Sequence, residues 1–312
     1  MNKKFTLTVA IPAYNEESNI KSLLLSLLAQ KTYHFNLLRI VVLSDQSDDL
    51  TDEIVLIIRK ISKKVHLQTG SRVGKSRKIS KFARECTSDV LLFLDADITI
   101  KSDTFLEEIV KPFQKNENIG LVGACDLPKK GQGYIEQSIN ESICAWNEFK
   151  ERLNRGDSIH NIHGCAYAIS KKLYKKFHVP SRVFNDDEFA YLLNKKLGYD
   201  FIHTCDAAVY YQAPKNITDF VLQSSRFNVS RSQVVAHFGV NSEREFMIPE
   251  MLKYKIFFKH LILHQAYFIG AVVLQLIFKL KKKSYKENLK RGYWDRIEST
   301  KLSSAPSFSI YS

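Results

Sequence analysis

Apolar positions along this chain recur with two periods that take turns. Residues 5–11 and 37–43 are nearly unbroken apolar runs, each of a length that suits one strand buried on both faces. Between them, residues 16–30 place Ile20, Leu23, Leu24, Leu27 and Leu28 at helical spacing. The alternation continues with a helix over 51–61, a short strand over 65–68 and a basic helix over 75–86. A strand over 90–94, a helix near 103–113 and a strand near 119–125 follow. Strand and helix periods that alternate in this way predict an α/β fold around a mainly parallel, doubly wound sheet.

The rhythm changes after Pro128. A glycine-rich turn at 129–133 leads into an amphipathic helix over 135–153, and residues 160–170 read as a strand. Asn185-Asp186-Asp187 opens a helix that Gly198 ends; one or two short strands over 200–211 and a helix over 218–235 follow. Residues 261–278 then carry no formal charge over eighteen positions, and Lys279, Lys281, Lys282 and Lys283 flank them. That length is at the short end of what spans a bilayer, and His264 and Gln265 fall inside it. A single span, an in-plane or re-entrant helix and a buried helix of a soluble protein all compete. The lysine flank favours membrane attachment over 256–278, with a clean span placed just ahead of interfacial binding. The chain thus divides into 1–127 and 128–240 as two halves of one domain, a helical region over 241–282, and a polar tail over 283–312.

Composition narrows the partners. Among 312 residues, 46 Lys and Arg face 33 Asp and Glu, a formal net charge of +13 that suits a phosphorylated substrate or anionic lipid. No helix-turn-helix, zinc-knuckle or aromatic RNA-binding pattern accompanies it, so nucleic acid is not expected. Cys86, Cys125, Cys144, Cys165 and Cys205 are scattered, with no signal peptide before them. They read as reduced thiols in a cytosolic compartment, small core residues and not metal ligands.

The richest chemistry lies at the end of the fourth apolar run, where Val90-Leu91-Leu92-Phe93-Leu94 gives way to Asp95-Ala96-Asp97. Carboxyl ends of strands are where open α/β sheets bind ligands. If the extended geometry persists, both carboxylates point the same way, and they repel unless a cation lies between them. Hard oxygen donors suit Mg²⁺ or Mn²⁺ shared with substrate phosphates. The alternative is an Asp-rich turn after a strand.

Several segments, in order, resemble a family 2 glycosyltransferase with the nucleotide-sugar-binding α/β fold called GT-A, over roughly residues 6–231. Val9-Ala10-Ile11-Pro12-Ala13-Tyr14-Asn15-Glu16-Glu17 resembles the family's opening strand and nucleotide-contacting turn. Ser44-Asp45-Gln46-Ser47-Asp48-Asp49 resembles its Asp-Asp-Gly-Ser-Thr-Asp turn, with Ser44 and Gln46 departing from it. Gly74-Lys75 matches a Gly-Lys step, and Asp95-Ala96-Asp97 the metal and diphosphate motif. Asp186-Asp187 stands where the family has Glu-Asp. Gln223-Ser224-Ser225-Arg226-Phe227 is similar to Gln-x-x-Arg-Trp, with Phe227 for the tryptophan arguing against processivity.

The resemblance implies roles. Asp97, with Asp95, would hold a divalent ion; Pro12, Ala13, Tyr14, Glu16 and Asp45 would contact the nucleotide, Asp45 favouring uracil. Lys75, Arg226 and Arg231 would share the diphosphate charge, and Asp187 would be the general base, with Asp186 its alternative. A single base opposite the leaving group implies inversion. His163 and Trp146 or Trp294 are weaker candidates for sugar contacts. The expected partners are a nucleotide-sugar donor, a lipid-linked or glycan acceptor, and the cytoplasmic face of the cell membrane. Two rivals stand beside this reading. A nucleotidyltransferase would carry a glycine-rich loop where Pro12 to Glu17 is glycine-free, and a catalytically silent membrane-bound partner of a polysaccharide synthesis complex would not need the full acid set.

Overall fold

Residues 90–94 show why this sheet forms where it does: all five side chains are buried, and they serve two cores at once. Leu92 and Leu94 face one hydrophobic cluster, whereas Leu91 and Phe93 face another. Alternate side chains of a strand point to opposite faces, so a strand apolar at every position must be covered on both. The computed structural model describes residues 4–181, 183–281 and 300.

In chain order the elements are β1 (Phe5–Ala13), α1 (Ile20–Leu28), β2 (Phe35–Ser44), α2 (Thr51–Ile61), β3 (Val65–Gln68), α3 (Lys75–Glu85), β4 (Val90–Leu94) and β5 (Thr99–Ile100). Then come α4 (Phe105–Lys115), β6 (Ile119–Pro128), α5 (Tyr134–Glu151), β7 (Ala166–Ser170), α6 (Lys171–Tyr174) and α7 (Asp186–Lys196). The chain continues through β8 (Asp200–Tyr211), α8 (Ile217–Phe238), α9 (Glu250–Leu263) and α10 (Gln265–Lys281). Among the described residues the sheet has eight strands in the order β3-β2-β1-β4-β7-β6-β8-β5.

Strands β1 to β4 pair in parallel, as the alternating pattern predicts. Beyond them the sheet departs from a simple doubly wound order. β7 enters antiparallel between β4 and β6, with Leu92 opposite Ala168, and β8 then pairs in parallel with β6. One sheet therefore runs through both halves of the chain. The carboxyl end of β4 meets the start of β7, and the two halves share a floor there.

Two local readings need correction. β1 does not stop before Pro12; Pro12 and Ala13 lie inside it, in register with Leu43 and Ser44. The strand placed over 160–170 begins only at Ala166, after a 3₁₀ turn at Ile159–Asn161.

The larger correction concerns 256–278. Its backbone breaks at His264, so the uncharged run is shared between two helices, α9 and α10. Among the described residues, no helix is long and apolar enough to cross a membrane. Leu274 and Phe278 turn inward onto α5 and α8, and the buried Phe268 packs on Phe257 and His260 of α9. A Cβ at Gly270 would collide with Ser138 on α5, so only glycine allows this approach. The polar tail over 283–312, Thr300 apart, and Trp294 lie outside the described residues.

Candidate active site

Strand β4 ends at Leu94, and the chain turns at once, so Asp95 and Asp97 sit in a turn and not in extended alternation. The Asp95 N–H donates to the Cys165 carbonyl at 3.0 Å, which ties this turn to the residue before β7. Both aspartates are half-buried. Burial pushes the Asp95 carboxyl above its usual range, and Asp97 and Asp186 add to the shift against the opposing pull of Lys75. The charge of Asp97 is also felt by Lys129, a half-buried lysine just past β6.

Lys75, the first residue of α3, reaches into this turn. Its ammonium donates to Asp95 Oδ1 at 2.7 Å and to the Gly164 carbonyl at 2.8 Å. Burial works to lower its pKa, but Asp186, Asp95 and Asp187 together outweigh that and hold it above the ordinary lysine value. Gly74 before it has φ +89°, a backbone state that glycine adopts without strain.

The two aspartates at the start of α7 differ in their surroundings. Asp186 accepts from Tyr167 Oη at 2.6 Å, and the Ser76 hydroxyl lies 3.3 Å from its other oxygen. Asp187 accepts the Glu188 N–H at 2.8 Å, and a Cβ placed on Gly164 would lie 3.5 Å from its Oδ2 and 3.0 Å from Lys75 Nζ. Gly164 thus borders both groups, and a side chain there would crowd them. Burial first, and then Asp186, push the Asp187 carboxyl up to about 7. Glu188 is raised to about 8 by burial and by Asp187. Asp95, Asp97, Asp186, Asp187 and Glu188 form an acid-rich cluster with Lys75 among them.

At the other end of Lys75 the turns after β1 and β2 interlock. Asp45 accepts the Val73 and Gly74 N–H groups, each at 2.8 Å, with Lys78 Nζ 3.5 Å from Oδ1. Its carboxylate therefore clasps the loop before α3, a task the sequence reading did not foresee. Tyr14 faces the same loop, with the Arg72 guanidinium 3.5 Å from its ring centroid. Glu16 is buried; its N–H donates to Thr51 Oγ1 at 2.7 Å and its Oε2 accepts from Asn19 at 3.0 Å. It joins the first turn to α2. Asn15 adopts φ +55° and exchanges hydrogen bonds with Asp48 at 2.5 and 3.0 Å.

The remaining candidates scatter. Arg226 is half-buried on α8, whereas the exposed Arg231 lays its guanidinium over Phe246 at 4.5 Å and lowers the Glu188 pKa. His163 Nε2 lies 2.8 Å from Lys150 Nζ, which in turn donates to Asp126 at 3.0 Å, so it belongs to a second buried cluster. Trp146 stacks on Phe149 and lines an apolar cavity of about 380 Å³ between α5, α9 and α10. Tyr167, Ser76, Glu188 and Lys129 were missed by the sequence reading. The run Asp186-Asp187-Glu188 was a signal for Glu188; Tyr167, inside an apolar strand, offered none.

In this α/β sheet Asp95 after β4 and the acid pair that opens α7 both act on Lys75. The chain belongs to glycosyl transferase family 2, whose family model matches residues 8–177. It is 32% identical over 122 residues to a 4,4'-diaponeurosporenoate glycosyltransferase of Staphylococcus haemolyticus, a match covering 38% of this chain and 31% of that relative. The chain thus spans about a third of that relative's length. A glycosyltransferase of Haemophilus influenzae without a characterised activity is 23% identical over 265 residues, covering 74% of this chain and 83% of its own. Among solved structures, a mannosyltransferase from Pyrobaculum calidifontis in complex with GDP-Man and Mn²⁺ shares the fold. Its TM-score is 0.56 at 18% identity, covering 89% of this chain and 76% of that one. Glucosyl-3-phosphoglycerate synthase from Mycobacterium tuberculosis, in complex with Mn²⁺, UDP and phosphoglyceric acid, gives 0.51 at 19% identity, covering 75% and 79%.

Proposed function

We propose that this chain transfers a sugar from a nucleotide-diphosphate sugar, a UDP-sugar, to a lipid-linked or glycan acceptor with inversion, on the cytoplasmic face of the cell membrane. The observation that carries the reading is Asp187: a buried carboxylate raised to about 7, beside Gly164 and within the field of Lys75. A base poised near neutral pH accepts a proton from an acceptor hydroxyl efficiently. Asp186, held by Tyr167 and Ser76, positions the start of α7 and leaves proton transfer to its neighbour.

The donor set after β4 fits a divalent ion. Asp95 and Asp97 offer hard carboxylate oxygens close enough that the charge of one raises the pKa of the other. They would hold Mn²⁺ or Mg²⁺, which when bound supplies Lewis-acid stabilisation of the leaving diphosphate. Lys75, fixed by Asp95 and the Gly164 carbonyl, places a positive charge beside the same region, and Lys129 lies within reach of Asp97. Arg72 and Tyr14 form a stacked wall by the Asp45 clasp, suited to a nucleobase face.

The acceptor class rests on the C-terminal hairpin. The cavity beside Trp146 is lined by Phe149, Ile256 and Phe268, with Lys253 and Lys279 among its walls, a match for an apolar chain carrying an anionic head. On the outer face Phe258, Ile262, Leu263, Ile269 and Leu280 are exposed among lysines. Exposed apolar side chains interleaved with lysines suit an interface of anionic lipid, so the hairpin lies in the membrane surface.

The test is a release and transfer screen of the full chain. UDP-, GDP- and dTDP-sugars are supplied with Mn²⁺ or Mg²⁺ and anionic lipid vesicles, alongside Asp97→Ala. Metal-dependent release of one nucleoside diphosphate, lost in Asp97→Ala, is the expected result. If no nucleotide binds with or without metal, the catalytically silent partner replaces this reading.

A further inference from the structure

The edge between β6 and β8 carries an irregularity that the proposed reaction does not use. Ala124 pairs with Thr204, yet the next β6 residue, Cys125, pairs with Ala208, so residues 205–207 bulge out of β8. A bulge re-aims side chains that regular pairing would send to opposite faces. Here it gathers two thiols and an imidazole: the sulfurs of Cys125 and Cys205 and one ring nitrogen of His203 all lie within 4.8 Å of one another. The sequence reading took these cysteines for small core residues, because no C-x-x-C spacing announces the cluster. Only non-local pairing of β6 with β8 assembles it.

We propose that Cys125, Cys205 and His203 form a binding site for Zn²⁺, separate from the carboxylates after β4. Two sulfurs and one nitrogen are soft and borderline donors, which select Zn²⁺ over the Mg²⁺ or Mn²⁺ that carboxylates prefer. Around tetrahedral zinc, ligands at about 2.0–2.3 Å stand about 3.3–3.8 Å apart, so a small inward movement of the bulge closes the site. The Nε2 atom of His203 is buried with no hydrogen-bond partner among the described residues, a polar group that metal ligation would satisfy or orient. Cys125 is buried and Cys205 exposed, so the fourth coordination position opens toward solvent.

The other such cluster among the described residues makes the contrast. In Glu141, His260 and His264, both ring nitrogens of His260 are already engaged, by Glu141 at 2.6 Å and Glu148 at 3.1 Å. That group is a latch between α9 and α5 with no lone pair on His260 to offer. At the bulge, by contrast, bound zinc would staple β8 to β6 one residue before Asp126, which anchors Lys150 and His163. The site would therefore brace the wall next to Gly164 without touching the reacting groups.

The experiment uses the full chain, reduced and freed of metal, titrated with Co²⁺ as a spectroscopic probe. A thiolate-to-cobalt charge-transfer absorption that saturates at one equivalent and disappears on adding Zn²⁺ is expected. Co²⁺ on Asp95 and Asp97 gives no sulfur band, so failure of the transferase reading and failure of this one are distinguishable. Cys205→Ser, at an exposed position, should reduce the band by about half or more, and His203→Ala should raise the Co²⁺ concentration needed to saturate it by about ten-fold or more. In the wild-type protein, Zn²⁺ should slow alkylation of Cys205, followed by mass spectrometry, by about ten-fold or more, because a metal-bound thiolate is a poorer nucleophile. No sulfur band, or a rate of Cys205 alkylation that Zn²⁺ leaves unchanged, overturns the proposal. So does recovery of Cys125 and Cys205 as a disulfide from protein kept with Zn²⁺, which would make the pair a redox element.

Discussion

Two lysines, Lys75 half-buried and Lys150 buried, flank adjacent residues of one loop, and their surroundings differ in a way that separates chemistry from architecture. Lys75 donates to the Gly164 carbonyl and Lys150 contacts His163, each at 2.8 Å. Lys75 and its partner Asp95 keep 29% of their side-chain surfaces exposed, whereas Lys150 and Asp126 keep 2% and 5%. Around Lys75 the acids are in excess, and burial raises Asp95, Asp187 and Glu188. Burial also works to raise Asp126, but His163 and Lys150 outweigh it and hold the carboxyl below its usual range. His163 itself is lowered to about 4 by burial, so the second cluster is one cation against one anion. An open group with surplus carboxylates retains the capacity to take up a proton or a cation. A sealed, matched pair has no such capacity left and serves to hold its elements together.

The strongest way to break this comparison is at Asp187. Under the proposed function, Asp187→Asn should lower transfer by about 10²- to 10⁴-fold, the usual worth of a positioned base. Its melting temperature should hold or rise at neutral pH, because a buried carboxylate beside Asp186 is removed. Steady-state rates and thermal unfolding on the same sample check both halves; transfer within a few fold of wild type would place the base elsewhere.

Lys150 should answer in the opposite currency. Lys150→Met leaves Asp126 buried without its cation and should cost about 3–5 kcal/mol of stability. Pairing it with Asp126→Asn should recover most of that loss, because neither charge then remains. Urea unfolding of the two singles and the double measures it; equal losses in single and double would show that the pair is not the source.

Tyr167 sharpens the comparison on the side of the open cluster. Tyr167→Phe keeps the ring, packed 5.2 Å from Phe93, and removes only the hydroxyl that donates to Asp186. A buried hydrogen bond to a carboxylate is worth about 1–3 kcal/mol, and that is the loss expected in urea unfolding. Transfer should fall by less than in Asp187→Asn, because Asp186 acts through the placement of α7.

How much of this was legible beforehand follows from how local each feature is. The run 90–94, the helical spacing of Ile20 to Leu28 and the acids after β4 are local patterns, and they stand where the sequence put them. The insertion of β7 beside β4 depends on Val90 finding Ser170, a pairing no local period encodes. The same holds for the Asp45 clasp on Val73 and Gly74 and for the hydroxyl of Tyr167 on Asp186. Over 256–278, hydropathy averaged along the chain hid a break at His264 and an inward face built from Phe268, Ala271 and Leu274. The motif marked Asp186 and Asp187 as a pair and passed over Glu188 beside them, but only burial and the Tyr167 contact distinguish their tasks.

The last effect joins stability to chemistry. In the unfolded chain Asp187 ionises near the ordinary aspartate value of about 3.9; folded, its pKa is raised to about 7. Below the lower value both states carry the proton, and the favourable contribution of the neutral carboxyl to folding is fully present. As pH rises between the two values the unfolded chain releases the proton and the folded chain keeps it, so stability falls with pH. Above about 7 both have lost the proton, the contribution is gone and the curve levels. A working base needs the ionised form in the folded chain, so transfer should rise around pH 7, at the upper end of the window in which stability declines. Asp187→Asn should flatten the stability difference between about pH 4 and about pH 7 relative to wild type, measured by urea unfolding at both, the span these two pKa values bracket. A mutant that keeps the wild-type slope would move the titration to Glu188, whose carboxyl is raised to about 8 and would end the decline about one pH unit higher.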